Sequence, residues 1–463
     1  MELNLINDPV YKFDAQFPVY NFFFPSQINI DKQLDIESIL PIVNQGISSR
    51  ALYFHFPFCE TICSFCPFTR GMYKDKDEIA RYVDCIIDEI KLKATMLDLH
   101  AVPVESIFFG GGTPSLLEYE HIMQIGKAIH DHFDLSKLRE FCFEIEVKSI
   151  NARKVEALKA IGVTHPRFGL QTFDLEWREN FDLTATIEDL ENAAKLLNAN
   201  FEHVSFDVLY GMHGQSVDAL KVDLDKAISL GTKNIDIYPI DNVMTQAKLH
   251  KKIARKEYPI TTAKEKFHMR LEVDKYMRSR GFMPHNGHGY VKAHVTDDTV
   301  TDEYSFVYHE HVYGYSDKDI LGFGVNAVSS VKEHVFTNCS GREQYIRSIR
   351  EGKIPCSISR HHKIMDLVKP LLLRLTYHGR VDKQQSNIDR LPIAFIQKFD
   401  ELIEAGLIAQ DDKSYFLTKD GWNWYTNITY YLMPDSEKDY IGQFIYSELD
   451  KPGKTLLVDE VMI

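Results

Sequence analysis

The sequence predicts an α/β protein built around a parallel sheet. Between about residues 51 and 240, short runs rich in β-branched and aromatic residues alternate with longer segments of helical periodicity. Six such βα-type units with short loops imply parallel strands joined by right-handed crossovers. Six units are too few for the usual eight-stranded barrel. An open six-strand barrel and a doubly wound sheet therefore both fit the pattern.

The predicted elements follow one another closely along this region. In the first helix, Ile79, Val83, Ile86 and Ile90 recur at intervals of three or four residues, which marks one apolar face. The predicted strands occupy residues 51–56, 104–109, 142–147, 166–171, 204–209 and 234–238. The predicted helices occupy residues 77–97, 117–133, 152–160, 187–197 and 217–230.

Three domains are expected: an N-terminal arm over residues 1–50, a barrel domain over 51–335 and a mostly helical domain over 336–463. The aromatic stretch at 17–25 predicts either a segment anchored on a core by its rings or one wall of a substrate pocket. In the last domain, a hairpin is predicted from strands 407–410 and 414–417. Helices followed by a small hairpin suggest a winged-helix-like module with a structural role.

The overall composition excludes several classes of function. The chain has 67 Asp and Glu against 53 Lys and Arg, a net charge of −14, with no basic block. Because phosphate contacts need clustered Lys and Arg, we do not expect a nucleic-acid partner. No apolar run approaches the length of a membrane span, and the first residues lack a secretory signal pattern. We therefore expect a cytoplasmic location.

The strongest local signal is the segment Cys59-Glu-Thr-Ile-Cys63-Ser-Phe-Cys66. Three thiolates are one ligand short of a closed metal site. Either His55 completes a Cys3His zinc site, or the thiolates hold three irons of a [4Fe–4S] cluster and leave the fourth iron open. The cluster is favoured because the motif follows the first strand of a βα series, where such folds place active sites.

A glycine-rich loop supports this interpretation. The segment Gly110-Gly-Gly-Thr-Pro-Ser follows the next predicted strand, and glycines there let the backbone approach a ligand closely. Alone this is a weak signal. Next to a cysteine triad with an open iron, it predicts a cofactor-binding loop.

At this point the sequence resembles the radical S-adenosylmethionine (SAM) enzymes, and within them the family of the oxygen-independent coproporphyrinogen III dehydrogenase. The resemblance covers nearly the whole chain. Its motifs are Tyr53-Phe-His55-Phe-Pro-Phe-Cys59, Gly110-Gly111-Gly112-Thr113-Pro114, Glu144-Ile-Glu146-Val, Arg167-Phe-Gly-Leu-Gln171, Asp207-Val-Leu-Tyr-Gly211, Tyr238-Pro239 and Gly322-Phe-Gly324-Val-Asn-Ala-Val328-Ser. This resemblance implies a partial (β/α)6 radical SAM barrel.

The resemblance also implies roles for individual residues. The metal ligands would be Cys59, Cys63 and Cys66, holding one [4Fe–4S] cluster whose open iron chelates SAM. The residues implied to bind two SAM molecules are Tyr53, Gly111, Gly112, Thr113, Glu146, Gln171, Asp207 and Val328. The candidate catalytic residues are Tyr53, His55 and Glu146. One of the histidines near His288 or His311 is considered for proton transfer, because the usual pKa of histidine is near neutrality.

Several departures from the family pattern bear on the substrate. The dehydrogenases carry a further cysteine at the position of Phe68, a Phe-Gln pair at His311-Val312, and an arginine at Leu183, for which Arg178 is the nearest substitute. The heme-chaperone relatives carry a tryptophan that the segment His285-Asn286-Gly-His288-Gly-Tyr290 lacks. These differences argue against porphyrinogen decarboxylation and heme trafficking.

The remaining resemblance is to class C radical SAM methyltransferases, which alkylate sp² carbons of aromatic substrates. The main hypothesis is methylation of carbon 8 of menaquinone. One alternative is tetrapyrrole chemistry, either coproporphyrinogen III oxidation or anaerobic heme ring opening. Another is a heme or iron–sulfur carrier without turnover. The expected partners are a flat aromatic substrate and a reductant such as flavodoxin or ferredoxin, and a quinone substrate would add peripheral membrane contact.

Overall fold

A twelve-stranded sheet forms the centre of the protein. The structure, a computed structural model, describes residues 2–19, 24–26, 31, 34–68, 70–292 and 307–454. In chain order the strands of this sheet are β1 (Ser49–Phe56), β2 (Val104–Gly111), β3 (Glu140–Ile145), β4 (His165–Gln171), β5 (Ser205–Tyr210), β6 (Asn234–Pro239), β7 (Phe282–Pro284), β8 (Gly289–Lys292), β9 (Lys318–Phe323), β10 (Val328–Val331), β11 (His334–Asn338) and β12 (Cys356–Arg360). Their spatial order is β12-β11-β10-β9-β1-β2-β3-β4-β5-β6-β8-β7.

The predicted parallel α/β architecture is confirmed. The parallel part of the sheet has one strand more than the six that we expected. Strands β1 to β6 pair in parallel in sequence order, and β9 adds a seventh parallel strand beside β1. A buried bidentate ion pair fixes this addition, since Arg50 donates to Asp319 at 2.8 and 2.6 Å. The strands outside this parallel group pair antiparallel.

Helices cover the outer face of the sheet, and the inner face encloses a cavity. Along β1, Leu52, Phe54 and Phe56 are buried in the main core, whereas Tyr53 and His55 line the cavity, as the alternation of a strand requires. The sheet curves into a partial barrel, because side chains from β9 and from β6 line that same cavity. The helices of this region are Lys76–Met96, Tyr119–His132, Ala152–Ala160, Leu175–Asn180, Ile187–Asn198, Val217–Ser229, Ala247–Lys256, Ala263–Ser279, Val307–Val312 and Arg342–Arg350.

Several of these helices begin at side-chain caps. The carboxylate of Asp75 accepts from the amide of Glu78, and capping boxes pair Thr186 with Asp189 and Thr262 with Glu265. Such caps satisfy amides that have no partner within the helix. The helix Ala263–Ser279 is therefore fixed at the end that carries Lys266.

A second hydrophobic core lies in the C-terminal domain. Its helices are Ile364–Lys369, Leu375–His378, Ile393–Glu404, Lys419–Asn423, Tyr425–Leu432 and Asp435–Leu449. The predicted hairpin is present as strands Ile408–Gln410 and Ser414–Leu417, and Arg380–Asp382 adds a third strand that we did not predict. The main sheet continues to Arg360, past residue 335 where we expected the barrel domain to end.

The N-terminal arm packs on this second core. Phe13 lies against Trp424 with ring centroids 5.4 Å apart, and Phe17 stacks on Tyr430 at 4.3 Å. The Phe17 amide donates to Asn427. Of the predicted stretch, Phe17 and Phe24 are buried in this core, so the aromatic anchor is present for these two rings, while residues 20–23 lie outside the described residues. Among the described residues, no helix combines the length and apolar character needed to cross a bilayer.

Candidate active site

A cavity of about 400 Å³ lies on the concave face of the sheet. Its floor carries charged side chains from three successive strands: Glu144, Arg167 and Asp207. Its walls are largely aromatic and include Phe68, Phe108, Tyr238, Tyr308, Tyr313 and Tyr377. An apolar cleft with a few convergent polar groups is the usual form of a small-molecule site.

The cysteine loop borders this cavity, and Phe65, Pro67 and Phe68 from the loop line it. Distant residues hold the loop: Ser64 donates to the Asn180 carbonyl at 2.8 Å, and Gln246 donates to the Cys63 carbonyl at 2.8 Å. Burial raises the pKa of Cys59 to about 11 and of Cys63 to about 12. With these pKa values the two groups are thiols at neutral pH, so binding a metal group would release their protons.

The glycine-rich loop closes against both β1 and the cysteine loop. The Gly112 amide donates to the Phe56 carbonyl at 2.7 Å, and a Cβ at Gly112 would lie 2.6 Å from the Phe58 carbonyl oxygen. Gly111 has φ +111°, and a Cβ there would lie 2.7 Å from the His55 ring. Both glycines are therefore required by the packing of the chain itself.

A buried charge network forms the cavity floor. The Arg167 guanidinium donates to Asp207 at 2.9 Å and also to Asp236. Burial raises the pKa of both carboxyl groups, although Arg167 acts in the opposite direction. Burial disfavours the Arg167 charge, but the two carboxylates outweigh it and hold the pKa of Arg167 above its ordinary value. The floor therefore keeps a permanent cation next to groups that can exchange protons.

Two further carboxyl groups have raised pKa values. Burial raises the pKa of Glu144 to about 7, and its carboxylate accepts from the Gly111 amide at 3.2 Å. Burial likewise raises the pKa of Glu140 to about 7. Glu140 accepts from the Val307 and Tyr308 amides at 2.7 and 3.3 Å. It therefore anchors the start of the helix that brings Tyr308 to the cavity.

Comparison with known protein families matches residues 53–227 to the radical SAM superfamily. The match covers residues 53–227, which are less than half of the chain. The chain is also 25% identical over 340 residues to anaerobilin synthase of Escherichia coli O157:H7, which covers 72% of this chain and 73% of that protein. It is 25% identical over 353 residues to an oxygen-independent coproporphyrinogen III oxidase of Cereibacter sphaeroides, covering 74% and 76%.

A solved structure shares the radical SAM fold described here. Coproporphyrinogen III oxidase of Escherichia coli superposes with a TM-score of 0.75 at 19% identity, over 89% of this chain and 96% of that one. The predicted fold class, a partial barrel with a helical C-terminal domain, is confirmed by this likeness. The match of residues 53–227 to this superfamily also implies a [4Fe–4S] cluster and SAM.

The cysteine loop lies within the matched segment 53–227, and its donor set of three thiolates suits a cluster that leaves one iron open. The proposed fourth zinc ligand, His55, has its Nδ1 2.9 Å from the Tyr53 hydroxyl. The ligands to the cluster would be Cys59, Cys63 and Cys66.

Most of the predicted site residues of this radical SAM domain meet at the cavity. The ones that line it are Tyr53, His55, Gly111, Gln171, Asp207 and Val328. The Thr113 hydroxyl bonds to the Cys59 thiol, and Gly112 packs on the β1 backbone, so both support the cysteine loop. Glu146 follows β3 beside Lys148 and Glu60, on the side of the cysteine loop. Its SAM-binding and catalytic roles stay predictions.

The histidines considered for proton transfer separate into two groups. His288 lines the cavity, and its Nδ1 lies 2.8 Å from the Tyr425 hydroxyl. His311 points away from the cavity, with Nε2 3.2 Å from the Ser49 hydroxyl and burial lowering its pKa to about 4. Its neighbour His309 lines the cavity instead. Of the histidines near the two predicted positions, His288 and His309 therefore face the cavity, and the proton-transfer role stays a prediction.

The residues at which this sequence differs from the family pattern also have defined positions in the structure. Phe68 lines the cavity and is 50% exposed. Arg178 does not face the cavity, because its guanidinium donates to the carbonyls of Leu170, Thr172 and Ala185. It therefore stabilises the loop after β4 and does not replace the arginine expected at Leu183.

Sequence reasoning missed Glu144, Arg167, Asp236, Tyr308 and His309 as site residues. A signal for the first three was present, since each is a charged residue at an inward-facing position of an otherwise apolar strand. Tyr308 and His309 had no such signal. They reach the cavity from a short helix whose position depends on Glu140, far away in the chain.

Proposed function

We propose that this protein is a radical SAM enzyme that acts on a tetrapyrrole. The observation that supports this most is the extent of the similarity. The aligned 340 and 353 residues reach well beyond the matched domain at 53–227. They therefore include segments that build the substrate side of the cavity as well as the cofactor side. The names of these relatives, anaerobilin synthase and coproporphyrinogen III oxidase, point to tetrapyrroles and favour this alternative over menaquinone methylation.

The shape and chemistry of the cavity agree with a large planar ring. Tyr313 and Tyr377 stack at 4.2 Å with an interplanar angle of 16°, and Phe108 lies 4.7 Å from Tyr308. Flat aromatic faces favour planar conjugated ligands. The buried Arg167 supplies a fixed positive charge at the floor. Such an arrangement binds a ring system by its faces and orients it by a few polar groups.

The cluster, when bound, would supply the electron that cleaves SAM. The chain's own residues would hold SAM and exclude water. Tyr53 and His55 face the cavity from β1, hydrogen-bonded to each other at 2.9 Å. Gln171, Asp207 and Val328 also line the cavity and are available for a second SAM molecule, whose presence is part of this proposal. A one-electron donor such as flavodoxin or ferredoxin completes the proposed system.

The test supplies anaerobically reconstituted protein, a reductant and methyl-trideuterated SAM with one substrate at a time. The substrates are coproporphyrinogen III, heme and menaquinone, and products are followed by mass spectrometry. We expect carbon dioxide loss from the porphyrinogen or opening of the heme ring, with 5′-deoxyadenosine formed in proportion. No change in either tetrapyrrole would contradict the proposal.

A second candidate function is methyl transfer to a flat aromatic ring, with carbon 8 of menaquinone as the specific target. The observation that favours it is Phe68, which lines the cavity where the dehydrogenases carry a cysteine. In this case the menaquinone product gains a methyl group with at least two deuterium atoms, and S-adenosylhomocysteine appears beside 5′-deoxyadenosine. The same experiment therefore separates the two candidates.

A further inference from the structure

A second, smaller pocket lies behind one wall of the large cavity. It has a volume of about 50 Å³ and is enclosed by the arm, the ends of β5 and β6, the helix Ala263–Ser279 and the C-terminal domain. Pro239 and Ile240 line both spaces. The two spaces therefore adjoin each other at these two residues. We call the smaller one the Lys266/Arg270 pocket, after the two cations that line it.

These two cations lie one turn apart on the same helix. Like charges at this spacing repel each other, and burial increases the cost of each charge. Among the described residues, neither makes an ion pair: Lys266 donates to the Ile240 carbonyl at 2.6 Å, and Arg270 to the Trp422 carbonyl at 3.2 Å. The pocket therefore holds an excess of positive charge with no bound counter-charge from the described chain.

The carboxylates nearest to these cations are engaged elsewhere. Asp241 accepts from the Val243 and Met244 amides at 2.9 and 3.0 Å. Asp274 accepts from Arg278 at 2.9 Å and from the Tyr290 hydroxyl at 3.2 Å. Asp241 attracts Lys266, and Asp274 attracts Arg270, only by longer-range electrostatics and without a hydrogen bond. Neither carboxylate fills the pocket.

Hydrogen-bonding capacity is also unused at the same place. Nε of Arg270, Oδ1 of Asn423 and Oε1 of Gln16 are all buried without a hydrogen-bond partner, and all three residues line the pocket. Arg270 and Asn423 are each 5% exposed. Buried polar groups are normally paired, and either amide can be turned to donate its N–H. An oxyanion in the pocket would accept hydrogen bonds from Arg270, Lys266 and these two side-chain amides together.

We infer that the Lys266/Arg270 pocket binds a carboxylate side chain of the substrate whose ring occupies the large cavity. The volume suits one carboxylate group and excludes a ring. The shared wall places the pocket beside the ring site, and Tyr425, which lines the pocket, bonds to His288, which lines the cavity. This inference rests on the proposed function, because it takes the carboxylate to belong to a tetrapyrrole.

The test compares a ligand with and without its charges. Coproporphyrin III, a stable oxidised analogue, and its tetramethyl ester are titrated against the full-length, reconstituted protein in one detergent-containing buffer. We expect the free acid to bind about 10- to 100-fold more tightly than the ester, the range of a charge-assisted hydrogen bond. Arg270→Gln and Lys266→Met should each remove most of this preference and leave the affinity of the ester unchanged.

Two controls keep the result specific. Lys275→Gln removes an exposed charge from the same helix and should alter neither affinity. Arg270→Lys retains the charge and should keep most of the preference for the free acid. This result would show that Arg270→Gln loses the preference through its charge and not through a folding defect. A preference for the acid that survives in both Arg270→Gln and Lys266→Met would assign the carboxylate to other cations and overturn the inference.

The remaining outcomes separate this inference from the proposed function. Equal binding of acid and ester, together with turnover of a tetrapyrrole, would overturn the pocket assignment and leave the function standing. Equal binding together with thermal stabilisation by acetate in the wild type, but not in Arg270→Gln, would assign the pocket to a free anion instead. If neither porphyrin binds, the pocket inference fails, and turnover of coproporphyrinogen III or heme decides the proposed function separately.

Discussion

The side-chain amide of Gln246 donates a hydrogen bond of 2.8 Å to the carbonyl oxygen of Cys63, from the far end of the barrel sequence. The Gln246 backbone amide also donates to Ser64 at 3.0 Å. This residue, which follows β6, therefore fixes the loop that begins after β1. The conformation of the cysteine loop depends on closure of the partial barrel.

Replacing Gln246 by Ala should loosen the cluster without removing a ligand. Groups that orient metal ligands typically contribute 10- to 100-fold in metal affinity, so we expect iron to be lost about ten times faster to a chelator. Loss is followed by the visible absorbance of the reconstituted protein under anaerobic conditions. Gln344→Ala, on an exposed helix face, is the matched control. Identical rates for Gln246→Ala and wild type would contradict the role.

The three clustered cysteines should be required for iron binding, and the four others should not. We expect Cys59→Ala, Cys63→Ala or Cys66→Ala to abolish the cluster and SAM cleavage, because each thiolate binds a separate iron. Cys85 and Cys142 are buried away from the loop, and Cys339 and Cys356 lie near the edge of the sheet. Their Ala variants should retain about four irons per chain. Stoichiometric zinc in the wild type would refute the assignment.

Gly112→Val should disturb the cluster as well as SAM binding. If the loop only let the backbone approach the cofactor, as the sequence predicts, we would expect such a side chain to block SAM and leave the cluster intact. The structure places the new Cβ 2.6 Å from the Phe58 carbonyl oxygen, next to Cys59. We therefore expect iron content and SAM affinity to fall together. Gly442→Ala, where a Cβ meets nothing within 4 Å, is the control, and a fully loaded variant that fails to bind SAM would restore the earlier expectation.

Arg167→Met should destabilise the protein strongly. It leaves the buried carboxylates of Asp207 and Asp236 without their shared cation, and breaking such a network typically costs about 3–5 kcal/mol. Arg153→Met serves as the control, because its ion pair with Glu120 is exposed and should contribute less than about 1 kcal/mol. Both are compared with wild type by urea unfolding. The double variant Arg167→Met/Asp236→Asn should recover part of the loss.

The buried His213 should make the protein less stable in mild acid. Its Nδ1 accepts from the Thr261 amide at 2.8 Å, and burial lowers its pKa to about 3. Between pH 6.5 and 3, His213 is protonated in the unfolded chain but stays neutral in the folded chain. The free energy of unfolding therefore falls as the pH falls. From pH 7 to pH 5 this amounts to about 2 kcal/mol.

The variant His213→Gln keeps a neutral acceptor and removes the titration. Its unfolding free energy relative to wild type should therefore improve by about 2 kcal/mol between pH 7 and pH 5. Urea unfolding of both proteins at the two pH values measures this change. An unchanged difference between variant and wild type would show that His213 is protonated in the folded state.

The sequence by itself determined the local features of this protein. Strand and helix periodicity predicted β1 to β6 and the helices between them, because alternation and helical spacing are properties of short segments. The cysteine and glycine motifs located the cofactor end of the site, since ligands of one loop are near each other in the chain. The hairpin at 407–417 was predictable for the same reason.

Only the tertiary structure decided the features that depend on contacts between distant segments. The seventh parallel strand is fixed by the buried pair of Arg50 and Asp319, whose register no local pattern reveals. The choice of His309 over His311 depends on the direction of a short helix that Glu140 anchors. The Lys266/Arg270 pocket exists because the arm and the C-terminal domain enclose one face of a barrel helix. Burial and charge compensation are properties of the assembled chain, and they set which polar side chains face a ligand.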